Sequence, residues 1–310
     1  MNLSRTPVYA TDLGQAFCAD SLELMRELPQ ESIDLVVTSP PYALHFKKEY
    51  GNADQSEYVD WLLPFAREIR RVLKSSGSFV LNLGGAWQPG GPIRSLYHFR
   101  VVLALCDELQ YSLAQEFFWF NPAKMPAPAE WVNVRRIRVK DSVEYLFWFV
   151  KDPFAKANNR KVLQAYSPDM KKLIRRGIKA TTRPSGHAIK DTFATDQGGA
   201  IPPNLIECGN NESNSTYIRG SKAAGTKIHP ARFPAELPRF FIEFLTDPGD
   251  LVMDPFAGSN TTGAVAESLR RHWLTCEINE EYAQASRLRF DGAPEAIDLA
   301  AGQPSLLPTP

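Results

Sequence analysis

Two hydrophobic periods alternate along this chain. Ile33-Asp-Leu-Val-Val-Thr38 is a short β-branched run of the kind a buried parallel strand requires. From Glu57 to Lys74 the period lengthens: Leu62, Phe65, Ala66, Ile69, Val72 and Leu73 fall on one helical face, with Arg67, Arg70 and Arg71 elsewhere. Gly77 breaks that pattern before a second strand, Ser78 to Leu83. A helix from about Tyr97 to Leu109 follows, then strands near 111–120 and 143–150, which could close a sheet edge as an antiparallel pair. Late in the chain come a helix over Pro234 to Thr246, a strand Leu251 to Asp254, a helix reaching about Arg271, and a strand Trp273 to Glu277. Strands alternating with helices predict an α/β fold built on a doubly wound, mostly parallel sheet.

Between about 151 and 228 the periodicity fades and Gly, Pro, Ser and Asn accumulate. The expected organisation is therefore 1–150 and 229–290 as the two halves of one α/β domain, 151–228 as an irregular insertion, and 291–310 as a disordered tail. Formal charge over all 310 residues is zero, but 151–228 holds 14 Lys/Arg against 6 Asp/Glu, a local +8. Such a segment in a neutral protein is an electrostatic footprint for phosphate, or else a solvated cationic face. The four cysteines (18, 106, 208, 276) lack CxxC spacing, which predicts neither disulfide framework nor metal site and points to a cytoplasmic protein. No apolar run is long enough to suggest a membrane span.

The chemistry gathers at two strand ends. In Met253-Asp-Pro-Phe-Ala-Gly-Ser-Asn-Thr-Thr262 a strand gives way to a loop of small residues and then a helix, where Gly258 permits close backbone approach to a ligand. The loop lacks both the lysine of a P-loop and a GxGxxG sequence, and Asp254 would repel phosphate while suiting an ammonium group. Glu277 lies 19 residues beyond Gly258, at the next strand end, where an acid can hydrogen-bond a ribose diol. A ligand with adenosine, a cation and an amino-acid end fits these features: S-adenosyl-L-methionine. The second strand end, Ser39-Pro40-Pro41-Tyr42, leaves its sheet stiffly, setting carbonyl acceptors beside a flat aromatic ring. Such a group can grip a base extruded from a duplex by its exocyclic amine; a Pro-Pro turn with a packed tyrosine is the plainer alternative.

Ser39-Pro-Pro-Tyr42 followed much later by Asp254-Pro-Phe-Ala-Gly-Ser-Asn-Thr-Thr262 resembles the DNA amino-methyltransferases, in the permuted order of their β group, over about 12–289. The resemblance implies a Rossmann-like methyltransferase sheet and a duplex DNA substrate. It implies cofactor contacts at Asp20 (adenine), His229 and Phe233 in Ile228–Pro234, and Asp254, Pro255, Phe256, Gly258, Ser259, Asn260, Thr261 and Glu277. His229 would serve equally as a core histidine. Asn260 stands where the family usually has glycine, and Asn tolerates a left-handed backbone better than most residues. The basic insertion occupies the family's target-recognition place, with Lys171, Lys172, Arg175 and Arg176 as candidate DNA contacts. Lys47 and Lys48 would contact DNA or cover the base pocket, unless they lie in an ordinary exposed loop. Arg135, Arg136 and Arg138 would form a DNA-facing stripe or a solvated strand face.

The family implies direct attack of the amine on the sulfonium methyl, with Ser39, Pro40, Pro41 and Tyr42 as the catalytic group. No cysteine follows a proline here, which argues against cytosine C5 chemistry. Serine in the first motif position favours cytosine N4 in this family, with adenine N6 the alternative. A restriction endonuclease acting on the same site is the implied genetic partner.

Overall fold

The computed structural model describes residues 3–43, 53–177, 181–182, 188–189, 191–210, 215–232 and 234–290. Its strands and helices run in the order β1 (Tyr9–Ala10), β2 (Gly14–Cys18), α1 (Ser21–Glu27), β3 (Ile33–Thr38), α2 (Tyr58–Val72), β4 (Leu73–Leu83), α3 (Tyr97–Asp107), β5 (Ser112–Phe120) and β6 (Val143–Val150). They continue as α4 (Pro168–Arg176), β7 (Thr181–Thr182), β8 (Ala188–Ile189), β9 (Leu205–Glu207), α5 (Thr216–Ala224), α6 (Glu236–Leu245), β10 (Leu251–Asp254), α7 (Thr261–Ser268), β11 (His272–Glu277) and α8 (Glu280–Ala285). One sheet carries nine of the strands, in the order β1-β2-β11-β10-β3-β4-β6-β5-β9.

The centre of that sheet, β2-β11-β10-β3-β4, is parallel throughout. β3 is buried along its whole length, as its β-branched run requires. It feeds two layers: Leu35 and Val37 pack with Leu237, Phe241, Ile242 and Leu245 of α6, whereas Val36 packs with Leu62, Ala66, Ile69 and Val72 of α2. Ile33 joins the α2 side with Val36 because the register slips between Ile33 and Leu35. At that irregularity the Asp34 carboxylate accepts from Lys74 Nζ at 2.8 Å and from Leu251 N at 3.0 Å, tying three strands together.

β5 and β6 do pair antiparallel, but they do not close the edge. Leu205–Glu207 adds outside them, parallel to β5. At the other end β1 folds back on β2, and β2 lies beside β11, so residues 9–18 belong to the same side of the sheet as Glu277.

Two compact units divide the chain differently from the composition: Met1–Lys156 with Asn204–Pro310, and Ala157–Pro203. Residues after 203 fall in the larger unit because β9 pairs with β5 and because Tyr217 and Ile218 of α5 pack on Ala285. The smaller unit contains α4, opened by Ser167, whose side chain accepts from Met170 N, with Pro168 in the first turn and Gly177 (φ +70°) at its end. Among the described residues no helix is long and apolar enough to cross a membrane.

Candidate active site

Strand order reverses between β10 and β3. From β10 the chain crosses through α7 to β11 on one side; from β3 it crosses through α2 to β4 on the other. Ligands bind in open α/β sheets beyond the carboxyl ends of strands at such a point. The 255–260 loop leaves β10 there, and Ser39–Tyr42 leaves β3 beside it. A cavity of about 600 Å³ opens between them. It is lined by Ser39, Pro40, Pro41 and Tyr42, and by Asp20, His229, Pro255, Phe256, Gly258, Ser259, Thr261 and Glu277. The two motifs thus share one chamber of a size suited to a small molecule.

Each wall has a local cause. Asp20 caps α1, its Oδ1 accepting from Leu22 N at 2.7 Å. Gly258 takes φ +53°, and a Cβ there would meet the His229 ring at 3.1 Å, so any side chain would be strained in backbone and tight against that ring. Glu277 accepts from Gly258 N and Asn279 N, both at 2.9 Å. Burial raises its pKa, and these backbone donors pull it partly back. His229 stands edge-on to Tyr282, its ring 4.5 Å away; burial lowers its pKa to about 4, so it is neutral at pH 7. Phe256 packs with Phe65 at 5.0 Å and Trp61 at 5.8 Å, giving the chamber an aromatic side. The charged lining residues are Asp20, Glu144 and Glu277 against Arg232, an acidic balance that suits a cationic ligand and disfavours phosphate.

Two of the expected cofactor contacts are differently placed. Asp254 is fully buried and does not line the chamber. Its Oδ1 accepts from Thr38 Oγ1 at 2.6 Å and Phe256 N at 3.0 Å, and its Oδ2 accepts from Thr262 Oγ1 at 2.7 Å. Burial still raises its pKa to about 6, against the pull of those three donors. It therefore ties the ends of β3 and β10 to the start of α7 rather than facing a ligand. Asn260 is also buried: it adopts φ +57°, its Oδ1 accepts from Gly263 N, and its Nδ2 donates to Tyr9 Oη at 2.9 Å. The tolerance for left-handed backbone expected of Asn is used here, but to cap α7. Phe233, Lys47 and Lys48 lie outside the described residues.

On the β3 side, Tyr42 presses against Gly84, where a Cβ would come within 2.5 Å of its ring. Tyr58 Oη donates to Pro41 O at 2.8 Å, fixing the turn. Four contributors lay outside the two motifs: Trp61 and Phe65 from α2, Asn82 at the end of β4, and Glu144 at the start of β6. Trp119 of β5, 4% exposed, lines the chamber as well.

Among the expected DNA contacts, Lys171, Lys172, Arg175 and Arg176 are exposed on α4. Arg135, Arg136 and Arg138 are exposed in the connection between β5 and β6, which is irregular there rather than a strand face. Arg135 stacks over Trp131 at 5.1 Å and pairs with Glu130, and Arg138 donates to Pro92 O at 3.0 Å. Part of that stripe is therefore held locally.

A family model described as DNA methylase matches residues 33–287. The chain is 53% identical over 293 residues to the type II methyltransferase M.PvuII of Proteus hauseri, covering 94% of this chain and 87% of that protein. It is 25% identical to the DNA adenine methyltransferase YhdJ of Escherichia coli (strain K12), covering 88% of this chain and 81% of that protein. The solved PvuII DNA methyltransferase (cytosine-N4-specific) superposes with a TM-score of 0.77 at 47% identity, covering 93% of this chain and 90% of that one. Fold, motifs and relatives agree, and the chain belongs to the DNA methylase family whose members modify exocyclic base amines.

Proposed function

We propose that the protein transfers the methyl group of S-adenosyl-L-methionine to the exocyclic N4 amine of a cytosine flipped out of duplex DNA at a specific site. The carrying observation is the shared chamber, in which Ser39–Tyr42 faces the loop that follows β10. The lining suits this cofactor: Glu277 offers a carboxylate to a ribose diol, Asp20 and the aromatic side suit adenine, and the acidic balance suits a sulfonium and an ammonium. Cytosine is favoured by Ser39 and by the 47% identity to the solved cytosine-N4-specific PvuII DNA methyltransferase.

When bound, the cofactor supplies an electrophilic methyl group; the rest falls to this chain. The cytosine amine is a weak nucleophile because its lone pair is delocalised into the ring. Its two N–H groups would donate to Ser39 Oγ and the Pro40 carbonyl, drawing the nitrogen towards tetrahedral geometry and stabilising the positive charge that develops on it. The Tyr42 ring would stack on the extruded base. Asp254 and Thr38 tie the two strand ends together, which would keep the base-gripping turn and the cofactor loop in fixed relation during transfer.

The basic 157–203 unit would serve as target-recognition region, and a restriction endonuclease acting on the same sequence would be the genetic partner. Such duties put its place of work in the cytoplasm. Replacing Lys171, Lys172, Arg175 and Arg176 by Ala should weaken duplex binding and flatten its salt dependence by about 0.9 log-log units per phosphate contact removed. Filter binding across a salt series reads both; an unchanged slope would exclude α4 from the DNA interface.

The test of function is transfer of labelled methyl groups to unmethylated plasmid DNA, followed by nucleoside mass spectrometry. N4-methylcytosine is the expected product. N6-methyladenine would overturn the base assignment and keep the chemistry, and no product would overturn both.

A further inference from the structure

A polar chain runs from the catalytic motif to a carboxylate that the mechanism above does not use. Glu144 stands second in β6, opposite Trp119 of β5, at a position where its neighbours along the strand are apolar. Its side chain is only 15% exposed, and it lines the same chamber as Ser39. Its Oε2 accepts from Tyr42 Oη at 2.8 Å, and its Oε1 pairs with Lys124 Nζ at 2.9 Å. Tyr42 Oη lies 3.2 Å from Ser39 Oγ. Asn82 holds the group in register: its Nδ2 donates to Tyr145 O at 3.0 Å, which turns its Oδ1 towards Tyr42 Oη (2.8 Å) and Ser39 Oγ (3.3 Å).

The direction of this chain follows from counting protons. Tyr42 has one O–H and faces two acceptors, Asn82 Oδ1 and the Glu144 carboxylate; the charged acceptor makes the stronger hydrogen bond. Once that proton points at Glu144, the Tyr42 oxygen turns a lone pair to Ser39, whose own oxygen is then free to accept from an amine. Burial and the neighbouring Glu144 charge push the Tyr42 phenol well above its ordinary range, so it stays protonated and can relay a proton without standing as a phenolate. Besides Tyr42 and Lys124, Tyr97 also feels the Glu144 charge; buried, it remains a neutral phenol.

We propose that Glu144 is the terminal acceptor of the proton that the target amine loses on methylation, reached through Ser39 and Tyr42. This rests on the amine-methyltransferase reading. As the nitrogen–methyl bond forms and the methyl–sulfur bond breaks, the sulfonium becomes a neutral thioether and the nitrogen becomes cationic. The nitrogen then gives a proton to Ser39 Oγ, Ser39 gives its own to Tyr42 Oη, and Tyr42 gives its own to Glu144. The products are a neutral methylated amine and a neutral carboxylic acid, which releases its proton to water after turnover. Lys124 Nζ, 2.9 Å from Oε1, holds the carboxylate in place. Glu144 is thus a positioning residue and proton sink, acting on the substrate through Tyr42.

The test uses Glu144→Gln, Tyr42→Phe and their combination. Phe keeps the ring that stacks on a base, and Gln keeps an acceptor for the tyrosine, so neither should disturb folding. Single-turnover methylation of plasmid DNA should slow about 30-fold in each single variant, below the usual general acid–base range because water can take the proton instead. The double variant should be no slower than either single one, since both cut the same chain. Affinities for S-adenosyl-L-methionine, by calorimetry, and for the plasmid DNA, by filter binding, should stay within twofold. Glu144→Ala should regain rate with added formate and not with chloride. Rates within threefold of the parent, multiplicative losses in the double variant, affinity lost in step with rate, or equal response to formate and chloride would each overturn the proposal. Failure of the unaltered protein to methylate an amine would instead overturn the functional reading beneath it.

Discussion

Ser39→Ala is expected to slow methyl transfer by about 10²- to 10³-fold, the cost of removing one preorganised hydrogen bond aimed at charge that develops in a transition state. The loss should appear in single-turnover rate and hardly at all in cofactor affinity, because Ser39 belongs to the β3 side of the chamber and Gly258 and Glu277 to the other. Nor should stability suffer. The Ser39 hydroxyl makes the longest bonds of its group, 3.2 Å to Tyr42 Oη and 3.3 Å to Asn82 Oδ1. Without it, Tyr42 remains anchored to Asn82 and Glu144, both at 2.8 Å. Rapid-quench transfer of labelled methyl, with calorimetric titration of the cofactor as control, separates the two effects. A rate within threefold of the parent would mean that Ser39 does not touch the amine, and the grip would then rest on the Pro40 carbonyl alone.

How much of this was legible in the sequence depends on where each interaction is decided. β3 and β10 could be read to the residue because their solubility problem is local: covered on both faces, they are apolar at most positions, with Asp34, Thr38 and Asp254 the exceptions. The motif residues were legible because few side chains can do their chemistry, and the sheet duly brings Ser39–Tyr42 and the 255–260 loop to one chamber. Asp254 shows the limit. A carboxylate at a strand end serves a ligand or a neighbour according to which hydroxyls reach it; Thr38 reaches Asp254 only through the β3–β10 pairing, and Thr262 through the loop that carries the chain from β10 into α7.

Other features are decided still further from their own residues. Leu205–Glu207 is too short to show a period, and it is a strand only because β5 offers it an edge. Asn82 and Glu144 meet the motif through the antiparallel pairing of β4 with β6, where Asn82 stands opposite Leu146. The one hint was Glu144 itself, an acid interrupting the apolar run 143–150. A charge retained in a core strand is costly unless something uses it, and that cost is the signal a reader could have followed.

Acid should destabilise this protein through two buried histidines. His98 is 2% exposed, and its ring nitrogens have no hydrogen-bond partner among the described residues; it lies among the rings of Tyr97, Phe99 and Tyr145. Burial and then the charge of Arg94 lower its pKa to about 4, against the pull of Asp141. His229, 8% exposed, is lowered to about 4 by burial as well. The unfolded chain takes up a proton at each imidazole near pH 6.5, while the folded chain resists until about pH 4. Between those values the unfolded state binds more protons, so stability falls as pH falls, by about 2 kcal/mol per histidine from pH 7 to pH 5. Asp254 acts the other way. Its folded pKa of about 6 exceeds its ordinary 3.8, so the folded state binds the extra proton and regains about 1 kcal/mol over the same interval. Urea unfolding at constant ionic strength should therefore give a free energy lower by about 2 to 3 kcal/mol at pH 5 than at pH 7. His98→Phe, which keeps a ring among rings, should shrink that loss by about 2 kcal/mol, and Asp254→Asn should enlarge it by about 1 kcal/mol. A His98→Phe profile parallel to the parent's would show that His98 is not the group resisting protonation. Because His229 also backs Gly258 in the chamber, its protonation should loosen cofactor binding before the sheet unfolds, and affinity measured down the same pH series should fall first.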